Sequence, residues 1–190
     1  MSAIRFDIKN SVNLSLYDNS WYQPGSGFKR ILWLVVNSIF FNHSLAVFNG
    51  LKCSLIRWFG GTVGKGVLIK PSVNIKYPWF LSIGNHVWIG EQVWIDNLAQ
   101  TNIGNNVCIS QGAMLLTGNH DYTKSTFDLI VKPIVLEEGV WIGAKAIVCP
   151  GVTCKSHSVL AVNSVAIKNL EAYSINQGNP AVKIKSRLIS

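Results

Sequence analysis

The stretch "IGNHVWIGEQVWID", residues 83–96, repeats its pattern every six residues. Ile83, Ile89 and Ile95 open successive frames, and Val87 and Val93 take the fifth position of the first two. An amphipathic helix would show a period of about 3.6 residues and a half-buried strand a period of about two, so neither explains the pattern. The period instead fits a short strand followed by a tight corner, with one aliphatic side chain pointing inward from each frame.

The same frame continues in both directions. Its opening residues are Val63, Ile69, Ile75, Ile83, Ile89, Ile95, Ile103, Ile109, Leu115, Leu136, Ile142, Val148, Cys154 and Leu160. The step is six residues except after Ile75 and Ile95, where it is eight, and after Leu115, where it is 21. Glycine often follows the opening residue, as expected for a corner with positive φ. Three frames would form one coil of about 18 residues, and stacked coils would bury a continuous aliphatic column between parallel strands.

The chain divides into three segments around this repeat. We expect an N-terminal arm and helical segment over residues 1–61, a β-helix domain over 62–166 with an inserted loop at 116–135, and a C-terminal tail over 167–190. Residues 28–60 are predicted to be helical, ending at Gly60 and Gly61. This segment should cover one end or face of the β-helix, and it contains an apolar stripe that comprises Phe28, Ile31, Leu32, Val35, Val36, Ile39 and Phe40.

Bulk properties limit the classes of partner and location. The net charge of +8 indicates an anionic partner. Because the sequence contains no dense run of Lys and Arg, a phosphorylated small molecule is favoured over nucleic acid. The first 25 residues lack a signal-peptide pattern, which favours the cytoplasm. The apolar run 31–41 is too short to span a bilayer, and a buried or amphipathic helix is favoured over a segment lying on a membrane. The four cysteines lack metal spacing and are expected to be free thiols.

The long step after Leu115 contains the most suggestive side chain. The interruption begins "LLTGNHDY" and places His120 where the repeat stops. A neutral imidazole, with an ordinary pKa of about 6.5, can remove a proton from an alcohol near neutral pH. A histidine that caps a turn is the alternative. Apolar residues later in the insertion, among them Phe127 and Leu129, would be costly to leave in water, so we expect this loop to contact a neighbouring subunit.

Several motifs resemble one family along most of the chain. The segments "PWFLSIG", "ISQGAMLLTGNHDY", "GVWIGAKAIVCPGV" and "GNPA" are similar to those of hexapeptide-repeat acetyltransferases of the colanic-acid type, which are related to the galactoside, maltose and nodulation-factor acetyltransferases. The resemblance implies a left-handed parallel β-helix, acetyl-CoA as the donor, and a sugar hydroxyl in exopolysaccharide or surface-glycan synthesis as the acceptor. It also implies a homotrimer, and it implies no metal.

The resemblance also assigns roles to residues on the acceptor side. His120 corresponds to the general base. Asp96, Asn119, Asp121 and Glu91 are candidates for binding the acceptor. Asp121, Asp96 or a backbone carbonyl could orient the imidazole, as the third member of a catalytic triad does.

On the donor side, the resemblance implies contacts to acetyl-CoA from Gly143, Ala144, Val162, Lys168 and, near the phosphates, Lys185. The chain departs from the family pattern at residues 154–168, where bulkier corner residues could narrow or shift the groove for the pantetheine arm. No serine or cysteine lies in a recognised nucleophile motif, so we expect direct transfer rather than an acetylated enzyme.

Other functions remain as alternatives. The enzyme could use another acyl-CoA or an amino-sugar acceptor. A carbonic anhydrase of the γ type needs three imidazoles around zinc, and the sequence offers no third partner for His86 and His120. A non-catalytic scaffold would leave His120 in its loop without a purpose. Contact with the inner face of a membrane is a further alternative for the location.

Overall fold

The computed structural model describes residues 11–190 and confirms the repeat. The chain winds into about six stacked coils whose strands form three parallel sheets, the faces of a triangular prism. The first face contains β1 (Thr62–Val63), β4 (Leu81–Ile83), β7 (Thr101–Ile103), β12 (Ile134–Leu136) and β15 (Thr153–Cys154). The second contains β2 (Leu68–Ile69), β5 (Trp88–Ile89), β8 (Cys108–Ile109), β13 (Trp141–Ile142) and β16 (Val159–Leu160), and β18 (Ser174–Gly178) and β19 (Ala181–Ser186) extend it. The third contains β3 (Asn74–Ile75), β6 (Trp94–Asp96), β9 (Met114–Leu116), β14 (Ile147–Val148) and β17 (Val165–Ala166).

Strand register shows where residues are added to the coils. Paired residues lie 20 positions apart from Thr62 to Ser82 and again from Ser82 to Asn102. They lie 33 apart from Asn102 to Val135, and 18 apart from Val135 to Thr153. The two wider corners and the long insertion are therefore located where the sequence predicts them. The remaining strands, β10 (Gly118–His120) and β11 (Leu129–Val131), form an antiparallel hairpin within the long insertion.

The interior is the expected aliphatic column. Every frame-opening residue from Ile69 to Leu160 is buried, while Val63, in the first coil, is partly exposed. Because each coil leaves its inward side chains in contact with the coils above and below, burial is continuous along the prism.

The glycine that follows the opening residue has a different role from the one expected. Positive φ occurs later in the frame, at His86 (56°) and His157 (57°) among others, so both histidines are corner residues. Gly84 instead lies against the next coil, where an added Cβ would come within 2.8 Å of the carbonyl carbon of Gly104. Glycine is needed at this position because adjacent coils approach closely, and not because the chain turns there.

The N-terminal segment forms two helices rather than one continuous helical stretch. α1 spans Gly27–Phe40 and α2 spans Asn49–Trp58. Between them the chain turns, and the backbone N–H of Leu45 donates to His43 Nδ1 at 3.1 Å. α2 adds Leu55 and Ile56 to the core and contacts the first coil. The buried ammonium of Lys52 donates to the carbonyl of Lys70 at 2.8 Å, and burial lowers the Lys52 pKa to about 8.

The helical segment packs on the prism as expected, but α1 does not do so through its apolar stripe. The helix packs on the prism through Trp33 and Asn37, whereas most of the stripe is exposed to solvent. The indole N–H of Trp33 donates to the Ile75 carbonyl at 2.7 Å, and the Asn37 amide donates to Asn74 Oδ1 at 2.7 Å. These hydrogen bonds to β3 fix which side of the helix faces inward. No helix within residues 11–190 is long and apolar enough to cross a membrane.

Candidate active site

His120 lies at the end of the first strand of the inserted hairpin. β10 and β11 pair in register, with His120 opposite Leu129. The base of the hairpin is closed by the Lys132 N–H, which donates to the Thr117 carbonyl at 2.9 Å, and Thr117 is fully buried. The histidine is therefore carried by ordered β structure that is anchored on the third coil.

The backbone of the hairpin orients the imidazole. His120 Nδ1 lies 2.9 Å from the carbonyl oxygen of Phe127. A carbonyl only accepts hydrogen bonds, so Nδ1 carries the proton and the Nε2 lone pair is left for other partners. The Phe127 ring stacks on the imidazole, with centroids 4.4 Å apart and planes 8° apart. Phe127 itself has a φ of 51°, a left-handed conformation that is unusual for a bulky residue and that occurs here beside the candidate base.

Neither candidate carboxylate provides this orientation. Asp121 accepts from the hydroxyl of Thr123 at 2.5 Å and from its backbone N–H at 3.1 Å. Both hydrogen bonds hold the pKa of Asp121 below its usual value, and the one from the hydroxyl has the larger effect. Asp96 pairs with Lys76, whose Nζ lies 2.9 Å from Oδ1. Of the three alternatives raised by the sequence, the backbone carbonyl is the one observed.

His120 borders an open cavity of about 520 Å³. The other residues lining this histidine cavity are Tyr17, Asn19, Ser20, Tyr22, Gln23, Pro24, Gly25, Arg30, Lys76, Tyr77, Leu98 and Leu129. The N-terminal arm forms much of the wall, because the Tyr22 hydroxyl donates to the Leu98 carbonyl at 2.6 Å. Burial raises the pKa of Tyr22. The arm also reaches the insertion, where the Asn13 N–H donates to the Ser125 carbonyl at 2.8 Å.

A second cavity of about 520 Å³ adjoins the first beneath α1. Arg30, Lys76 and Tyr77 line both cavities, and Asp96 lines the second. The Asp96 side chain is 17% exposed, and its Oδ1 makes no aligned hydrogen bond despite the close ammonium of Lys76. We take the 2.9 Å separation as an ion pair, so Asp96 retains an oxygen that can accept a further hydrogen bond.

The structure brings some of the predicted acceptor residues together and separates others. Asn119 and Asp121 flank His120, and the Asn119 side chain accepts the His120 backbone N–H at 2.8 Å. Asp96 lines the second cavity, beneath α1, and not the cavity that His120 borders. Glu91 lies at another corner of the prism, between β5 and β6, and its carboxylate is 3.9 Å from the Lys70 ammonium.

The predicted donor residues form one compact group and two outliers. Gly143 and Ala144 share a corner with Val162 of the next coil, where the Gly143 N–H donates to the Leu160 carbonyl at 2.8 Å. Lys168 follows β17 at a different corner, and Lys185 lies in β19 opposite Ile175. The small residues therefore define a shallow corner, while the two cations are exposed elsewhere on the last coils.

The sequence did not identify several residues of the two cavities. Four of them lie far from His120 in the chain, and the repeat pattern gives none of them a role in catalysis or binding: Tyr17, Arg30, Lys76 and Tyr77. The available signal was the aromatic content of "SLYDNSWY", because exposed aromatic residues in an otherwise polar arm favour contact with another surface.

The thiols and possible metal ligands add little to the site. All four cysteines are free, and burial raises the pKa of the Cys154 thiol to about 12. Burial also raises the pKa values of Cys108 and Cys149. Within residues 11–190, no group of three or more His, Cys, Asp or Glu side chains is arranged to hold a metal ion.

Comparison with known proteins identifies the family, although no family model matches the chain. A protein of Escherichia coli named as the colanic acid biosynthesis acetyltransferase WcaF is 37% identical over 167 residues, which cover 88% of this chain and 92% of that protein. The galactoside O-acetyltransferase of E. coli is 28% identical over 76% of this chain and 73% of its own length. A hexapeptide-repeat acetyltransferase of Vibrio cholerae, solved with acetyl coenzyme A, superposes with a TM-score of 0.78 at 25% identity over 88% of this chain and 93% of that one. The chain therefore belongs to the hexapeptide-repeat acetyltransferases.

Proposed function

We propose that this enzyme transfers an acetyl group from acetyl-CoA to a sugar hydroxyl, with His120 as the general base. The observation that carries the proposal is the hydrogen bond from Nδ1 to the Phe127 carbonyl, which leaves the Nε2 lone pair available to accept a proton. The same imidazole lines a cavity large enough for a sugar. The acetyl-CoA complex of the V. cholerae relative supports the choice of donor.

The reaction proceeds by direct attack in a ternary complex. The acceptor oxygen bonds to the thioester carbonyl carbon while His120 Nε2 takes the hydroxyl proton. The C–S bond of the tetrahedral intermediate then breaks, and the proton returns from His120 to the departing thiolate. A covalent acetyl-enzyme is not required, and the raised pKa of Cys154, the most deeply buried thiol, makes it a poor nucleophile.

The walls of the two cavities suit a polyhydroxylated acceptor. Tyr17 lies tilted against the imidazole, with ring centroids 5.6 Å apart, and Tyr77 borders both cavities. Aromatic faces can pack on the apolar side of a sugar ring while polar groups bind its hydroxyls. Asp96 has a free acceptor oxygen for this purpose, and Asn119 and Asp121 lie beside the base. The galactoside O-acetyltransferase relative supports a sugar as the acceptor class.

The position of the donor corner favours a site shared between subunits. Gly143, Ala144 and Val162 lie on the corner between the second and third faces, whereas His120 follows the third face. The six residues from Ala113 to Gly118 cross that face, and their five steps span roughly 16 Å at about 3.3 Å per residue. In a homotrimer, the donor corner of one copy can lie beside the hairpin of its neighbour. Glu91 of one copy can then reach the histidine cavity of the neighbouring copy, although it is separated from the histidine cavity of its own chain.

The outer surfaces of the prism support such an assembly. Four of the five outward residues of the first face are polar: they are Thr62, Ser82, Asn102, Val135 and Thr153. Those of the other two faces include Trp88, Cys108, Trp141, Trp94, Met114 and Ile147. Trp88 is 61% exposed and Trp141 46% exposed, which is costly for a lone chain and indicates a surface covered by another copy. A monomeric mass measured in solution by light scattering would contradict the trimer.

The relatives support a proposal about the biological setting. The name of the E. coli relative connects it with the synthesis of colanic acid, so we place this enzyme in exopolysaccharide or surface-glycan synthesis. We also propose that the enzyme lies in the cytoplasm, at the inner face of the membrane.

Release of free thiol from acetyl-CoA tests the reaction. The purified chain is incubated with acetyl-CoA and a panel of sugars, nucleotide sugars and amino sugars, and the product is identified by mass. His120→Ala should lower turnover by about 10²–10⁴-fold. His86→Ala is the matched control, because His86 is a corner residue outside both cavities, and it should retain turnover. Normal turnover by His120→Ala would remove the histidine from the mechanism, and acetylation of amines alone would replace the hydroxyl acceptor.

A further inference from the structure

The outward surface of α1 is apolar, which is the reverse of an ordinary surface helix. Phe28 is 78% exposed, Ile39 57% and Val35 50%. The inward residues are Trp33, which binds a backbone carbonyl, and the polar Asn37. A globular surface helix normally places its apolar stripe toward the core and its polar residues toward water.

The exposed residues form one continuous stripe. A helix turns by about 100° per residue, which puts Phe28, Ile31, Leu32, Val35 and Ile39 within about 60° of the direction opposite Asn37. We call these five residues the α1 face. Because its centre points directly away from the prism, no other part of the same subunit covers it within the residues that the structure describes.

The chain segment that contains α1 carries charged residues of a single sign. From residue 19 to residue 90 the chain contains seven Lys and Arg and no Asp or Glu. Two of these cations, Lys29 and Arg30, lie in the first turn of α1, and Lys29 is held with its ammonium 4.4 Å from the Trp79 ring centroid. An apolar helix face on a positively charged segment is the combination that binds the interface of an anionic bilayer.

We propose that the α1 face docks the enzyme on an anionic lipid bilayer, lying parallel to the surface in the head-group region. Fourteen residues are enough for an interfacial helix and too few to span the hydrocarbon core. Apolar burial supplies the attraction at short range, and the net positive charge of residues 19–96, seven Lys and Arg against Glu91 and Asp96, supplies it at longer range. Charge complementarity favours a bilayer over a second copy of this chain, since a second copy would bring a like-charged segment to the same place.

The docked helix would also border the site of acetyl transfer, an arrangement that rests on the function proposed above. Ile31 and Leu34 line the same cavity as Asp96, and Arg30 lines both this cavity and that of His120. An acceptor glycan attached to a lipid would therefore enter from the bilayer surface beside α1, with Arg30 available to an anionic linkage between sugar and lipid.

Vesicle flotation tests the docking without any acetyl transfer. The full chain is mixed with vesicles of equal parts phosphatidylglycerol and phosphatidylcholine, or of phosphatidylcholine alone. We expect binding to the anionic vesicles that weakens as salt is raised. The double substitution Val35→Gln and Ile39→Gln should weaken it by at least about tenfold, since each removes buried apolar area. The matched control is Leu188→Gln with Ile189→Gln, equally apolar and exposed but in the C-terminal segment, and it should bind as the wild type does.

The outcomes separate this proposal from the proposed reaction. His120→Ala should float with vesicles like the wild type, so an inactive enzyme that binds vesicles refutes only the reaction. Absence of binding, or equal binding by the α1-face variant, refutes the docking. If that variant instead dissociates the assembly in light scattering, the α1 face is a contact between copies and the bilayer proposal is wrong.

A second arm tests the route of the acceptor. The acceptor sugar found by thiol release is supplied either on a short soluble aglycone or coupled to a lipid in the anionic vesicles. The α1-face variant should lose rate only with the lipid-coupled form, by a factor similar to its loss of vesicle binding. Equal rates for both forms in both proteins would refute delivery from the membrane.

Discussion

The stacking of Phe127 on His120 leads to a quantitative prediction about positioning. In the Phe127→Ala variant the backbone carbonyl that accepts from Nδ1 remains, but the ring 4.4 Å from the imidazole is lost. A stacked aromatic pair contributes about 0.5–1.5 kcal/mol beyond its buried area. If all of that energy serves to hold the imidazole in its reactive orientation, kcat should fall by roughly twofold to tenfold. This is far less than the loss expected for His120→Ala.

The assay is the steady-state release of thiol from acetyl-CoA with saturating acceptor, together with ¹⁵N NMR of the imidazole. We expect a lower kcat with little change in the KM for acetyl-CoA. The Nδ1-protonated tautomer should persist in the variant, because the carbonyl partner is retained. Tyr122→Ala is the control: Tyr122 lies in the same insertion, is 78% exposed, and should leave kcat unchanged. A wild-type kcat in Phe127→Ala, or the opposite tautomer in the wild type, would refute the reasoning.

Two further predictions concern stability. An added Cβ in Gly143→Ala would lie 2.6 Å from the Val162 backbone nitrogen, so the coils must separate and the free energy of unfolding in urea should fall by about 1–3 kcal/mol. Gly50→Ala is the control: an added Cβ there meets nothing within 4 Å, so the substitution should be neutral or stabilising. An equal loss of stability in both variants would contradict the close stacking of the coils. Burial lowers the Lys52 pKa from its ordinary 10.5 to about 8, so between these pH values the unfolded chain binds more protons than the folded one and stability should rise with pH, by up to about 3 kcal/mol. The measurement compares the unfolding free energies of the wild type and Lys52→Met across that pH range, and the rise should be absent from the variant. Parallel pH profiles of the two proteins would show that the Lys52 ammonium stays charged, which would contradict the prediction.

The repeat could be predicted from the sequence because its energetics are local and periodic. Each frame supplies one inward aliphatic residue, and stacking requires the same residue type one coil later, so Ile83, Ile89 and Ile95 already contain the rule for the whole prism. Deviations from a strict period are equally visible, which is why the wide corners and the insertion with His120 were located correctly.

The role of the glycines was misjudged, and the inward side of α1 was left open, because a pattern gives residue types without their neighbours. Gly84 was expected to serve a turn, but it is needed because Gly104 of the next coil approaches it closely. The sequence predicted that the helical segment covers the β-helix, but it left open which side of α1 faces inward. The hydrogen bonds of Trp33 and Asn37 to β3 decide the orientation, and those partners lie about forty residues away in the chain.

By itself, the sequence determined the coiled architecture, the site of its interruption and the histidine placed there, because these depend on residues that recur at fixed short intervals. Only the tertiary structure decided that the Phe127 carbonyl orients His120, that Arg30 and Lys76 join two cavities, and that α1 turns its apolar side to the outside. Each of these depends on a contact between segments that are not periodic neighbours. Such contacts are fixed by how whole elements pack and by which hydrogen bonds that packing can satisfy, and neither is written in the spacing of residues along the chain.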